Sequence, residues 1–172
     1  MDFIAALGPL AGYLPELGLG LALLLVWGLL EAARRRGRAK SWVVLDGSNV
    51  MHWRDNSPRL ETLREVIAAC RKLGFETGVV FDANAGYKLF DRYVDDAEFA
   101  RLLRLPVAQV LVVARGEPAD PIILSAARDQ GARIVTNDRY LDWHARFPEA
   151  AAPGHLIRGG YRAGALWLAP RE

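Results

Sequence analysis

A chain of 172 residues can bury one hydrophobic core of ordinary size plus an appendage, and is too short for two comfortable domains. Its 22 basic and 20 acidic side chains nearly cancel to +2, so only the placement of the charges can argue for a nucleic-acid partner. The single cysteine excludes a disulfide scaffold, and His52, His144 and His155 lack the spacing that assembles a zinc site.

The first predicted element is apolar: residues 17–30, LGLGLALLLVWGLL, carry no charge. Counting back through Pro15 and Glu16 to Ala11 brings the stretch to about 20 residues, the length of a membrane span. Pro15 suits a first helical turn, Glu16 is within reach of headgroups, and Trp27 is placed for the opposite interface. Asp2 precedes the stretch and Arg34, Arg35, Arg36, Arg38 and Lys40 follow it, the reverse of a cleaved signal peptide. By the positive-inside rule the rest of the chain faces the cytoplasm. The expected organisation is a transmembrane helix over residues 1–33, a basic linker over 34–40 and a globular domain over 41–170, giving a single-pass, membrane-anchored protein. A hydrophobic helix docked on the domain or on a partner is the alternative.

From Ser41 onward, β-rich runs alternate with amphipathic helical patterns, the signature of βαβ units around a parallel sheet. A strand over 42–45 is followed by a helix with Ser57 as N-cap and Pro58 at its first position, running to Leu73 before Gly74 stops it. Cys70 falls in that helix's apolar register with Leu60, Leu63, Val66 and Ile67, as an inert core thiol. A strand over 77–81 ends in Asp82, and Asp95 with Glu98 in capping-box spacing opens a helix to about Leu103. A strand over 110–113 leads to a helix capped by Asp120 with Pro121 behind it, ending near Arg128 with Gly131 as its stop. A strand over 133–136, a short helix opened by Asp138, and weak strands over 156–157 and 165–168 complete the chain.

In such a sheet, strand C-termini and the N-termini of the following helices share one rim, where the ligand crevice forms. Asp46, Asp82, Asp120 and Asp138 should therefore crowd that rim. Asp142 follows Asp138 by four residues, which on a helix puts two like charges on one face, a conflict that a hard divalent cation with oxygen ligands resolves. Taken singly, Asp120 and Asp138 read as N-caps, Asp142 as a solvated helix residue and Asp82 as a turn residue. Asp46 is harder to dismiss, because it ends a run that looks fully buried. Gly47 allows a tight turn there, and Ser48 and Asn49 supply short polar groups.

The stretches WVVLDGSNVMHW, EPADPIILSAARDQGARIVTNDRYLDW and HLIRGGYRAGALWLAP resemble the NYN/Regnase-type (CCCH zinc-finger ribonuclease-like) domain of the PIN-like nuclease superfamily, over nearly all of residues 41–170. The resemblance implies a flavodoxin-like three-layer α/β sandwich with a mainly parallel central sheet. It also implies an acid cluster binding Mg²⁺ or Mn²⁺, and endonucleolytic cleavage of RNA. Carried over by motif, Asp46, Asp120, Asp138 and Asp142 become the catalytic metal ligands, and Asn49 their supporting polar residue. Regnase-like members often have two adjacent acids where this chain has Ala119-Asp120, so one carboxylate is missing; Glu117 or Asp82 is the nearest substitute.

Around the same rim, Ser48, Arg54, Lys88 and Arg139, with Tyr87, Arg115 and Tyr140, are expected to grip single-stranded RNA through backbone cations and stacking. Trp53 and Trp143 are better suited to packing than to stacking on bases. RNA, the membrane and a second copy of the chain are the expected partners. Neither GxxxxGK[ST] nor GxGxxG is present, so no nucleotide cofactor is expected. An aspartyl-nucleophile phosphatase would place a second acid where Ser48 stands. The remaining rival is a membrane-tethered RNA-binding or interaction module that keeps the fold with a weakened site.

Overall fold

The computed structural model describes residues 41–169 together with Leu24 and Trp27. The chain divides into two units, Met1–Ala39 and Lys40–Glu172. In the first, Leu24 and Trp27 are helical and exposed. The expected transmembrane helix and basic linker otherwise lie outside the described residues, and no helix among the described ones is long and apolar enough to cross a membrane.

In the second unit, β1 (Ser41–Asp46), β2 (Phe75–Phe81), β3 (Val110–Val112), β4 (Arg133–Val135) and β5 (Leu156–Ile157) form one parallel sheet in the order β3-β2-β1-β4-β5. Burial on both faces explains the unbroken apolar run of β1. Val43 and Leu45 point to one face, with α2 (Leu60–Lys72) and α4 (Asp96–Leu103), while Val44 points to the other, with α5 (Ala119–Asp129). Two shorter helices, α1 (Gly47–Val50) and α3 (Ala85–Phe90), follow β1 and β2 directly. An antiparallel hairpin of β6 (Gly159–Arg162) and β7 (Ala165–Leu168) completes the unit. The three-layer α/β arrangement expected from the sequence is thus present. Strand order reverses between β1 and β4, so the crevice lies outside the ends of β1 and β4, beside Asp46 and Thr136.

Several predicted boundaries move for local reasons. Ser57 and Pro58 do not open α2: Asp55 and Asn56 have positive φ, the Arg59 amide bonds the Met51 carbonyl, and the helix begins at Leu60 from an extended Arg59. Asp95 does cap α4, its carboxylate accepting from the Glu98 amide at 2.8 Å. Asp120 does not cap α5, because Pro118 takes the extended position and Ala119 the first helical one, leaving Asp120 inside the first turn. No α-helix starts at Asp138. Tyr140 adopts left-handed geometry (φ 50°), and only a 3₁₀ turn over Leu141–Trp143 follows, so Asp138 and Asp142 are not stacked on one helical face. Cys70 is buried, as expected, and burial pushes its thiol up to about 12.

Candidate active site

The site grows from the end of β1. Asp46 stays extended and becomes the N-cap of α1, where its Oδ1 accepts the Asn49 amide at 3.0 Å. Residue 47 is glycine for want of space: a Cβ there would lie 2.5 Å from the Phe81 ring. Ser48 faces β2, its hydroxyl accepting the Asp82 amide at 2.8 Å, which ties the ends of β1 and β2 together.

The second half comes from the end of β4. Thr136, fully buried, donates its hydroxyl to Asp46 Oδ2 at 3.0 Å and accepts the Asp138 amide at 3.0 Å. Tyr140 reaches back to the same Oδ2 with its hydroxyl at 3.2 Å. Its left-handed backbone is what returns the ring to the core, helped by its amide bonding Asp138 Oδ1 at 2.8 Å. With only 2% of its surface exposed, Tyr140 is no stacking platform for RNA; it is a support for Asp46.

Asp46 is 6% exposed, and its desolvation raises the carboxyl from 3.8 to about 6. The bonds from Asn49, Thr136 and Tyr140 oppose that rise, and the charge of Asp82 adds to it. The half-buried Asp120 is likewise raised, mainly by desolvation, then by the charges of Asp138, Asp82 and Asp142 against a 3.1 Å bond from Trp143 Nε1. Five carboxylates therefore share one electrostatic neighbourhood. Four of them were expected from motif, and Asp82, rather than the exposed Glu117, is the one that acts on both Asp46 and Asp120. Ala119, at the position of the missing family acid, belongs to the apolar cluster with Val113, Ile123 and Leu124.

Among the described residues, no three acidic, histidine or cysteine side chains converge into a ready-made metal-binding group. The donor chemistry nonetheless fits a hard divalent cation: the groups are carboxylate oxygens, and those at Asp46 and Asp120 are raised first by desolvation and then by neighbouring acid charges, both of which a cation would offset. Asn49, expected as the supporting polar residue of the cluster, has its side chain between the two strand ends. Its Oδ1 accepts both Trp53 Nε1 at 2.9 Å and the Asn137 amide at 3.0 Å, so it joins the two halves of the site, and only its backbone touches Asp46.

The expected substrate-binding residues separate. Arg139 is exposed beside Asp138, and Lys88 is exposed on α3 next to Tyr87. Arg54 is committed elsewhere, paired with Glu65 at 2.9 Å and stacked 4.1 Å over the Tyr161 ring. Trp53 and Trp143 pack against the two cores while bonding Asn49 and Asp120. Sequence reasoning missed Thr136 and Asn137. A polar side chain ending an apolar strand was the available signal at Thr136, the same one that singled out Asp46.

The sequence matches the family described as the Zc3h12a-like Ribonuclease NYN domain over residues 39–152. No curated protein sequence matches it significantly. Two solved structures of nuclear protein-only RNase P 2 (PRORP2) from Arabidopsis thaliana are similar in fold. One gives a TM-score of 0.59 at 18% identity, covering 88% of this chain and 34% of that one. The other gives 0.55 at 17%, covering 91% and 35%. This chain thus spans about a third of the length of those structures.

Proposed function

From a chain that belongs to the Zc3h12a-like Ribonuclease NYN domain family, we propose a metal-dependent endoribonuclease that hydrolyses single-stranded or loop RNA. The observation that carries this reading is Asp46, a carboxylate buried at the switch point of the sheet and held by Thr136, Tyr140 and the Asn49 amide. A protein places such a group at a cost in stability, and cation binding is what would offset it.

Asp46, Asp120, Asp138 and Asp142 would hold Mg²⁺ or Mn²⁺, with Asp82 as the neighbour whose charge replaces that of the acid absent at Ala119. Bound there, the cation supplies a nucleophilic water and neutralises charge on the phosphate oxygens. The chain's own groups do the positioning. Thr136 and Tyr140 fix the Asp46 carboxylate plane, the Asn49 side chain keeps the two strand ends in register, and Trp143 orients Asp120. Arg139 and Lys88 are the cations offered to the RNA backbone. The apolar N-terminal stretch with its basic sequel anchors the domain at the cytoplasmic face of a membrane in this reading.

Asp46→Asn abolishes Mn²⁺-dependent cleavage of single-stranded RNA while leaving the fold intact; undiminished cleavage by that variant refutes the assignment. Ala119 favours a second reading, an RNA-binding module with a weakened site. Calorimetric titration of Mn²⁺ separates the two, since the nuclease must bind the cation.

A further inference from the structure

Beyond the acid rim, a cleft of about 370 Å³ runs along the outer side of β5 and is lined by Arg139, His144, Arg158 and the small residues Ala151 and Gly154, with Leu156 between them. Its size lies in the range of sites that take a small organic ligand. Two features give it a chemical preference. Arg139 and Arg158 both face it, and among the described residues neither forms an ion pair, whereas Arg54, Arg92 and Arg128 each hold a carboxylate. Both ends are also braced against the turn that carries Asp138. Arg158 Nη1 donates to the Asn137 carbonyl at 3.1 Å, and His144 Nε2 lies 2.9 Å from the Arg139 carbonyl.

The turn over 137–139 is therefore a wall with an acid on one side and a cation on the other. Asp138 and Arg139 are consecutive, so their Cα atoms are about 3.8 Å apart. The β4 ladder uses the carbonyls of His155 and Ile157, which leaves the Leu156 backbone turned to the open edge and available to a base. Small side chains on the floor leave room for a ring.

We propose that this cleft binds one ribonucleotide of the RNA strand, the neighbour of the nucleotide whose phosphate lies on the acid rim. Arg139 and Arg158 take its phosphate, and its nucleoside lies over the Ala151–Gly154 floor. The proposal rests on the nuclease reading for the identity of the strand, but binding itself is tested apart from cleavage.

The full chain is titrated in chelator with uridine 5′-monophosphate and with a single-stranded oligoribonucleotide. Arg158→Ala is expected to weaken both about tenfold, as loss of a charge-assisted phosphate contact does. It should also reduce the salt slope of oligonucleotide binding by about 0.7. Because Arg158 also braces the 137–139 turn, Ala151→Glu gives an independent test: an exposed position on the floor acquires bulk and negative charge, and nucleotide binding is lost. A wild-type chain that binds the mononucleotide in an Arg158- and Ala151-dependent way but cleaves nothing upholds the cleft and overturns the nuclease. Cleavage with unchanged KM and unchanged salt slope in both variants overturns the cleft and leaves the nuclease standing.

Discussion

Replacing Asp46 by asparagine has a consequence for stability opposite to its consequence for function. The Asp46 carboxyl is raised from 3.8 to about 6 in the folded chain, so the native state binds its proton more tightly than the unfolded state. Between those two values the native chain holds more protons, and stability falls as pH rises through the window. Once both forms are ionised the loss is complete, and the gap corresponds to about 3 kcal/mol. Asparagine stays neutral and should fit. Its Oδ1 keeps the Asn49 amide, while its amide nitrogen can only donate to the Thr136 and Tyr140 hydroxyls, whose protons lose the oxygen they bonded; that cost does not vary with pH and drops out of a comparison between two pH values. In chelator, urea unfolding of the two chains should show the variant gaining about 2 kcal/mol on the wild type between about pH 4.5 and about pH 8. That is a shift of about 1 M in midpoint for a typical slope. Other titrating groups largely cancel in the difference. A stability difference independent of pH, or one that moves in favour of the wild type as pH rises, refutes the claim that desolvation dominates at this carboxylate.

The remaining predictions concern its supports. Gly47→Ala drives a methyl into the Phe81 ring and is expected to cost about 1–3 kcal/mol, read as a fall in thermal midpoint. Asp82→Asn removes a charge that raises both Asp46 and Asp120; cleavage at saturating RNA should drop about 10- to 100-fold, with KM little changed in steady-state assays. Asn137→Ala frees the hairpin from the site, and hydrogen exchange should speed up at both Gly159 and Asp138, where a merely local defect would change one of them.

What was legible in the sequence divides by the range of the interaction. Asp46-Gly47 stood out because an apolar strand ending in a carboxylate is costly wherever it occurs, and the Asp95–Glu98 cap held because both its partners lie within one turn. Asp120 looked equally like a cap. Its role changed because Pro118 already supplied the extended residue, shifting the helix start by one. The helix expected at Asp138 failed at Tyr140, whose left-handed backbone goes with a hydroxyl bond to a residue 94 positions earlier that no local pattern carries. The α3 helix was missed because Asn84 makes no side-chain cap and its six residues are too few for a visible period. Strand β6 was missed as well: it opens on Gly159-Gly160, where a Cβ on Gly159 would overlap the Trp53 ring, a packing constraint that no local pattern shows.

The Asn137 side chain grips Gly159 at both backbone groups, donating to its carbonyl at 2.8 Å and accepting its amide at 3.2 Å, while its own amide bonds Asn49. The family match ends at residue 152, so a fragment trimmed to that boundary would lose β5, the hairpin and the far side of this grip together. It would leave β4 as a raw edge and Asn137 with nothing to hold. The smallest piece that keeps the acids in place must therefore run on to about residue 169, and an inactive shorter fragment would report on a missing buttress instead of on the chemistry.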